Sequence, residues 1–183
     1  MMIMNFVKSE IEGLVIIEPK VFKDDRGYFF ESYNKKRLAD NGIDIDFVQD
    51  NQSLSQKGVL RGLHFQNPPY AQTKLVNVIK GSVLDIAVDI RKNSKTYGEY
   101  FAVELSEENK KILFIPEGFA HGFLALENDT IFSYKCSNYY NKESEGSLLW
   151  NDKTLNIDWG TKKPILSEKD NIAPTFNKFE SQF

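Results

Sequence analysis

At 183 residues the chain has the length of one domain, at roughly 150 residues per domain, and enough mass to bury a core without staples. A net charge of −3 leaves no basic field of the kind that holds nucleic acid, and no apolar run nears the ~18–20 residues of a membrane helix. The single cysteine, Cys136, excludes an internal disulfide and a thiolate metal site, and the opening MMIMNFVKSE lacks the layout of a secretion signal, so the expected compartment is the cytoplasm.

Fourteen Phe and eight Tyr favour pleated, half-buried surfaces. Short apolar runs follow one another with turn residues between them. They begin with Gly13–Ile17 and Tyr28–Tyr33, then Val59–Gln66, Leu75–Ile79, Val83–Ile90 and Glu99–Leu105, and end with Ile112–Ile115, His121–Leu126 and Ile131–Tyr139. In Ser82–Ile90, Leu84, Ile86, Val88 and Ile90 share one face while Val83, Asp85, Ala87 and Asp89 share the other, the period of two of a strand. Phe101, Val103 and Leu105 likewise share a face. Only Asn34–Asn41, with Gly42 as its stop, and the stretch after Ser167 read as helical. Asn67-Pro68-Pro69 is a loop signal.

No linker or repeat divides the chain, so residues 1–183 are expected to form one domain, with Asn177–Phe183 fraying at the end. Many short strands at close spacing, without long helices between them, predict an all-β sandwich or barrel with a few short peripheral helices. A double-sheet jelly roll is one such solution and leaves a cavity between its sheets. Periodicity does not choose it over another barrel.

There are two histidines, each beside a glycine, in Arg61-Gly62-Leu63-His64 and Ala120-His121-Gly122. The plain explanation is a core imidazole satisfied by a backbone carbonyl. A metal pair is disfavoured, because His64 has Gln66 rather than a second His on its strand and the other histidine lies far along the chain. Proton transfer suits an imidazole near neutral pH, provided a carboxylate fixes its tautomer. Asp85, Asp89 and Asp170 are candidates for that carboxylate, Tyr134 and Tyr140 for an acid, and Lys74 for an electrophile; the sequence does not rank the carboxylates. Each has an ordinary alternative: a solvated strand-end Lys74, a core-packed Tyr134 beside Phe132 and Cys136, and Asp170 at a helix start in Ser167-Glu168-Lys169-Asp170.

Only four basic residues are arginine, among them Arg26 and Arg61. Guanidinium forks suit a diphosphate, and no glycine-rich phosphate loop is present, so a nucleotide would be held by side chains on strands. Arg26 could equally pair with Asp24 or Asp25 at the surface. Tyr139 or Tyr140 offers a stacking face for a base. Arg61 and His64 are three apart, on opposite faces of a regular strand; a bulge at Gly62 would bring them to one side.

Several ordered strings carry a more specific signal. They are Asp25-Arg26-Gly27-Tyr28-Phe29-Phe30-Glu31, Phe47-Val48-Gln49-Asp50-Asn51-Gln52-Ser53, Gly58 to Gln66, and Ala71-Gln72-Thr73-Lys74. After these come Asp85 to Arg91, Ile115 to Phe123, Tyr134-Lys135-Cys136 and Leu166 to Asp170. In this order they resemble the dTDP-4-dehydrorhamnose 3,5-epimerase family over nearly the whole chain. The resemblance implies a cupin-type jelly roll that epimerises C3 and C5 of dTDP-4-dehydro-6-deoxy-D-glucose in dTDP-L-rhamnose and surface-polysaccharide synthesis. It implies no metal and no organic cofactor, and a homodimer that exchanges N-terminal strands.

By the same resemblance His64 is the proton acceptor, Asp170 its orienting carboxylate, Tyr134 the proton donor and Lys74 the group facing the enolate oxygen. Arg26, Glu31, Gln49, Asp50, Asn51, Arg61, Gln72, His121, Glu145 and Lys169 correspond to substrate-binding positions and Tyr140 to a thymine-stacking aromatic, with Arg26 or Glu31 lent by the neighbouring subunit. The competing expectations are an epimerase inverting only C3 or only C5 of another 4-keto sugar, a metal-dependent cupin, and a non-catalytic sugar-nucleotide binder.

Overall fold

The computed structural model describes residues 4–183. Two antiparallel sheets face each other across a shared core. One has six strands, ordered β1 (Met4–Lys8), β2 (Val15–Pro19), β10 (Ile112–Ile115), β7 (Lys74–Lys80), β12 (Thr130–Cys136) and β5 (Gln49–Ser55). The other has five, ordered β13 (Glu145–Ser147), β6 (Leu60–Gln66), β11 (Phe119–Ala125), β8 (Ser82–Asp89) and β9 (Tyr100–Ser106). A hairpin of β3 (Phe22–Asp24) and β4 (Gly27–Phe29) stands apart, and the helices α1 (Lys35–Asp40) and α2 (Glu168–Asn171) are short. This is an all-β, double-sheet jelly roll, with consecutive strands often on opposite sheets.

Three apolar layers build it. Between the sheets, Val76, Leu113 and Phe132 of one meet Val83, Ala87 and Phe123 of the other. Outside the five-stranded sheet, Ile86 and Val88 pack under Leu148, Trp150, Leu155 and Trp159 from the C-terminal segment. Outside the six-stranded sheet, Leu75, Ile112 and Phe114 are covered by Leu38 of α1 and by Ile43. The alternation of β8 follows from this: one face belongs to the inner layer and the other to the outer, so nearly the whole strand is buried.

The helix read over Asn34–Asn41 is one residue shorter at each end, because Asn34 is its N-cap, accepting from Arg37 N–H at 3.1 Å. β5 falls outside the apolar runs. It alternates in exposure but not in hydrophobicity, since its inward side chains Gln49, Asn51 and Ser53 face a polar cavity rather than packed core, and Ser55 is buried against Arg61.

The last residues differ from the expected fraying. Phe179 and Phe183 lie edge-on to Phe65, with ring centroids 5.3 and 6.4 Å away. Phe183 carbonyl accepts from Lys92 N–H at 3.0 Å, and Ser181 hydroxyl donates to Ile90 carbonyl. These two partly buried rings and the hydrogen bonds together tie the tail to the body.

Candidate active site

His64 on β6 and His121 on β11 are direct partners in the antiparallel register. Two residues along β11 separate this pair from the Phe123–Arg61 pair, but three along β6, so β6 holds a bulge. Gly62 makes it feasible: its φ is +137°, and a Cβ there would lie 2.5 Å from Gly122 Cα. The bulge brings both Arg61 and His64 to the lining of one cavity, as their spacing requires.

Each imidazole is held by a carboxylate rather than a carbonyl. His64 Nε2 is 2.6 Å from Asp170 Oδ1. Asp170 sits on α2, whose start is fixed by Ser167 hydroxyl accepting from Asp170 N–H at 3.1 Å. Asp170 therefore spends its own side chain on His64, not on the helix end. Burial pushes the Asp170 carboxyl up, but the hydrogen bond and charge of His64, with help from Ser167 and the Gly62 amide, outweigh this and leave it below the usual carboxylate range. His121 Nε2 lies 3.0 and 2.9 Å from the two oxygens of Asp85, and the pair is buried. Burial lowers the His121 pKa despite Asp85, so the ring is neutral at pH 7. Asp89, the third candidate, serves structure instead, accepting from Arg91, Ser94 and Thr96.

The opposite wall carries the tyrosine and lysine considered as acid and electrophile. Lys74 on β7 pairs with Cys136 on β12, and Tyr134, two residues back, projects from the same face. Both line a cavity of about 480 Å³ together with His64, His121, Arg61 and Asp170. Phe123 and Phe132 stack at 4.2 Å beneath it. Burial raises the Tyr134 hydroxyl, keeping it protonated. Burial lowers the Lys74 ammonium, with Cys136, Asp85 and Glu145 acting the other way. Of the two tyrosines considered as an acid, Tyr134 is the one lining this larger cavity.

A second compartment, of about 340 Å³, shares His64, Lys74 and Tyr134 with the first and extends to Gln49, Asn51, Gln72, Tyr140 and Glu145. Tyr140 N–H donates to Gln49 Oε1 at 3.0 Å, and its hydroxyl donates to Glu145 at 3.2 Å. Glu145 pairs with Lys169 at 2.5 Å, which pulls its carboxyl down against the effect of burial. Gln49 and Asn51 are joined side chain to side chain at 3.1 Å, and Gln72 donates to Asn138 carbonyl at 2.8 Å.

Three expected positions lie away from the cavity. Arg26 is 90 % exposed on the β3–β4 hairpin and paired with Asp24, its ordinary surface alternative. Glu31 bonds Arg37 at 2.6 Å. Asp50 is exposed on β5, lines neither compartment and pairs with Lys135 at 3.0 Å. Conversely, Gln52, Ser53 and Ser167 line the larger cavity unannounced. The period of two through Gln49 and Asn51 is the signal that reaches Ser53. Gln66 was also passed over: its buried amide donates to Tyr70 and Tyr139 carbonyls and accepts from Asn141 N–H, bracing the loop that carries Tyr140.

The profile of the dTDP-4-dehydrorhamnose 3,5-epimerase family matches residues 8–178. The dTDP-4-dehydrorhamnose 3,5-epimerase of Shigella flexneri is 54 % identical over 168 residues, 91 % of this chain and 93 % of that protein. The corresponding enzyme of Methanothermobacter thermautotrophicus is 51 % identical over 169 residues, 91 % of each. Among solved structures, a dTDP-6-deoxy-D-glucose-3,5-epimerase from Legionella pneumophila, in complex with dTDP-4-keto-L-rhamnose, superposes with a TM-score of 0.93 at 49 % identity, covering 97 % of this chain and 95 % of that one. A jelly roll with paired His–Asp couples facing a tyrosine and a lysine, matched across its length by such relatives, belongs to the dTDP-4-dehydrorhamnose 3,5-epimerase family.

Proposed function

We propose that this cavity epimerises a dTDP-linked 4-keto-6-deoxyhexose at C3 and C5, giving dTDP-4-dehydro-L-rhamnose for surface-polysaccharide synthesis in the cytoplasm. The observation that carries the reading is the division of labour between walls: the His64–Asp170 couple on one, Tyr134 and Lys74 on the other, around one cavity.

Both C3 and C5 are α to the C4 ketone. Asp170 accepts from His64 Nε2–H, so the lone pair rests on Nδ1, where His64 takes the C–H proton and becomes an imidazolium that Asp170 stabilises. The electron pair of the broken C–H bond moves into an enolate, and charge grows on the C4 oxygen. The Lys74 ammonium favours that charge over the ground-state ketone. Tyr134 then returns a proton to the carbon from the opposite face, which inverts the centre. Imidazolium and phenolate reset by proton exchange before the second centre reacts. Arg61 and Lys169 hold the diphosphate, with Gln49, Asn51, Gln72 and Glu145 around the nucleoside and Tyr140 against the thymine ring. No step calls on a metal or organic cofactor.

Arg26 and Glu31 act in this reading from a neighbouring subunit of a homodimer. The β3–β4 hairpin, whose turn holds Arg26, stands apart from both large sheets, which supports such a reach. Its aromatic surface supports this: Phe22, Tyr28 and Phe29 are exposed, Phe29 by 70 %, more than an isolated subunit gains from.

Incubation with dTDP-4-keto-6-deoxyglucose in deuterium oxide tests the reaction. Label at both C3 and C5, with L-rhamno couplings in the proton spectrum, is the expected result. Label at one carbon identifies a single-centre epimerase, and none at either carbon removes the catalytic reading.

A further inference from the structure

The mechanism above uses one His–Asp couple, yet the cavity holds two. His121 and Asp85 repeat the arrangement of His64 and Asp170, through the same ring nitrogen, on the adjacent strand and in direct register. They differ in setting. His64 is about a third exposed, whereas the Asp85 side chain is completely buried and His121 nearly so. The Asp85 carboxylate makes no other hydrogen bond among the described residues, so both its oxygens are directed at His121 Nε2. His121 lines the cavity, and among the described residues its side-chain hydrogen bonds run through Nε2 alone.

We propose that Asp85 is a positioning residue that sets the polarity of the hexose contact. Holding the proton on His121 Nε2, it leaves Nδ1 as a bare acceptor for a hydroxyl of the sugar. The second couple thereby selects a hydroxylated hexose and takes no part as a base. An imidazole whose Nε2–H is committed to a carboxylate can only accept at its other nitrogen. A neutral His121 also avoids a second imidazolium beside His64 during proton transfer. Stacking on Phe132, at 6.1 Å and 25° between ring planes, fixes the plane in which Nδ1 points. The inference rests on the reading that the cavity holds a hexose.

Nitrogen-15 NMR of histidine-labelled protein and calorimetry with two ligands, dTDP and the unreactive dTDP-6-deoxyglucose, test it. The His121 signals should report a neutral ring with its proton on Nε2, and dTDP-6-deoxyglucose, unlike dTDP, should shift the Nδ1 resonance in the direction of an accepted hydrogen bond. Asp85→Leu should keep dTDP affinity and lose about tenfold of the extra affinity given by the sugar. Asp85→Asn, whose amide oxygen can still accept from Nε2–H, should recover most of it. A His121 proton on Nδ1, an unmoved resonance, or equal losses for dTDP and dTDP-6-deoxyglucose overturns the proposal. If Asp85→Leu does not fold, the wild-type spectra and Asp85→Asn still decide. Wild-type protein that binds dTDP-6-deoxyglucose no more tightly than dTDP overturns the hexose reading itself, a separate outcome.

Discussion

Around the cavity each imidazole is matched to its own carboxylate, and burial governs the tyrosine. His64 faces Asp170, His121 faces Asp85, and the Tyr134 hydroxyl is kept protonated by burial. Replacing His64 by Ala or Tyr134 by Phe is expected to lower turnover by about a hundredfold or more, the usual worth of a positioned acid or base, with dTDP affinity nearly unchanged. Steady-state kinetics with parallel calorimetry checks this, and His64→Ala that still exchanges the C3 proton at the wild-type rate removes His64 as the base. The resemblance assigned these roles by position, and the carboxylates were ambiguous in the chain because Asp85, Asp89 and Asp170 look alike there. Their partners separate them: His121 on β11 for Asp85, His64 on β6 for Asp170, and the nearby Arg91, Ser94 and Thr96 for Asp89.

Asp89 illustrates how a strand end is secured. Burial acts against its charge, but Arg91, Ser94, Thr96 and the Arg91 amide hold its pKa at about 2. A carboxyl depressed from 3.8 to about 2 stabilises the fold fully above the unfolded value and loses that contribution as pH falls through the folded one. Asp89→Asn is therefore expected to cost about 2 kcal/mol near pH 7, a difference that shrinks as pH drops from about 4 toward 2. Urea denaturation of both proteins across that range checks it; a gap independent of pH contradicts it.

The bulge in β6 is the second such device. Gly62 was picked out in the chain because Arg61 and His64 could share a site only through an irregular strand, but the close approach of Gly122 was invisible there. A Cβ on Gly122 would meet Arg61 carbonyl at 2.8 Å, so Gly122→Ala should push the two strands apart, cost about 2 kcal/mol and lower turnover together with stability. Retained stability with full activity would show that the contact yields easily.

For the molecule as a whole, the C-terminal segment acts as a cover. It supplies Asp170 to the cavity from one side and packs Phe179 and Phe183 behind Phe65, the neighbour of His64, from the other. Removing residues 179–183 uncovers Phe65 and is expected to cost about 3 kcal/mol in thermal unfolding. An unchanged melting temperature would mean that the tail is dispensable. The hairpin carries the complementary prediction. If Arg26 works in the neighbouring subunit's cavity, inactive Arg26→Ala and His64→Ala proteins should regain measurable activity when refolded together, since a mixed dimer holds one site with both residues intact. Mixtures as inactive as their components would return Arg26 to its surface pairing with Asp24.

Strand content, the all-β class and the two-faced β8 were legible in the chain, because a period of two in hydrophobicity is a local property of consecutive residues. The family motifs were legible too, and with them most of the cavity. Other features depended on which strands lie side by side. β5 carries its alternation in polar residues, Asp85 and Asp170 meet their histidines far along the chain, and the aromatic tail finds Phe65 more than a hundred positions earlier. Hydrogen bonds and ring contacts of that kind exist only once the sheets close, since nothing in a local stretch of sequence records its distant neighbours.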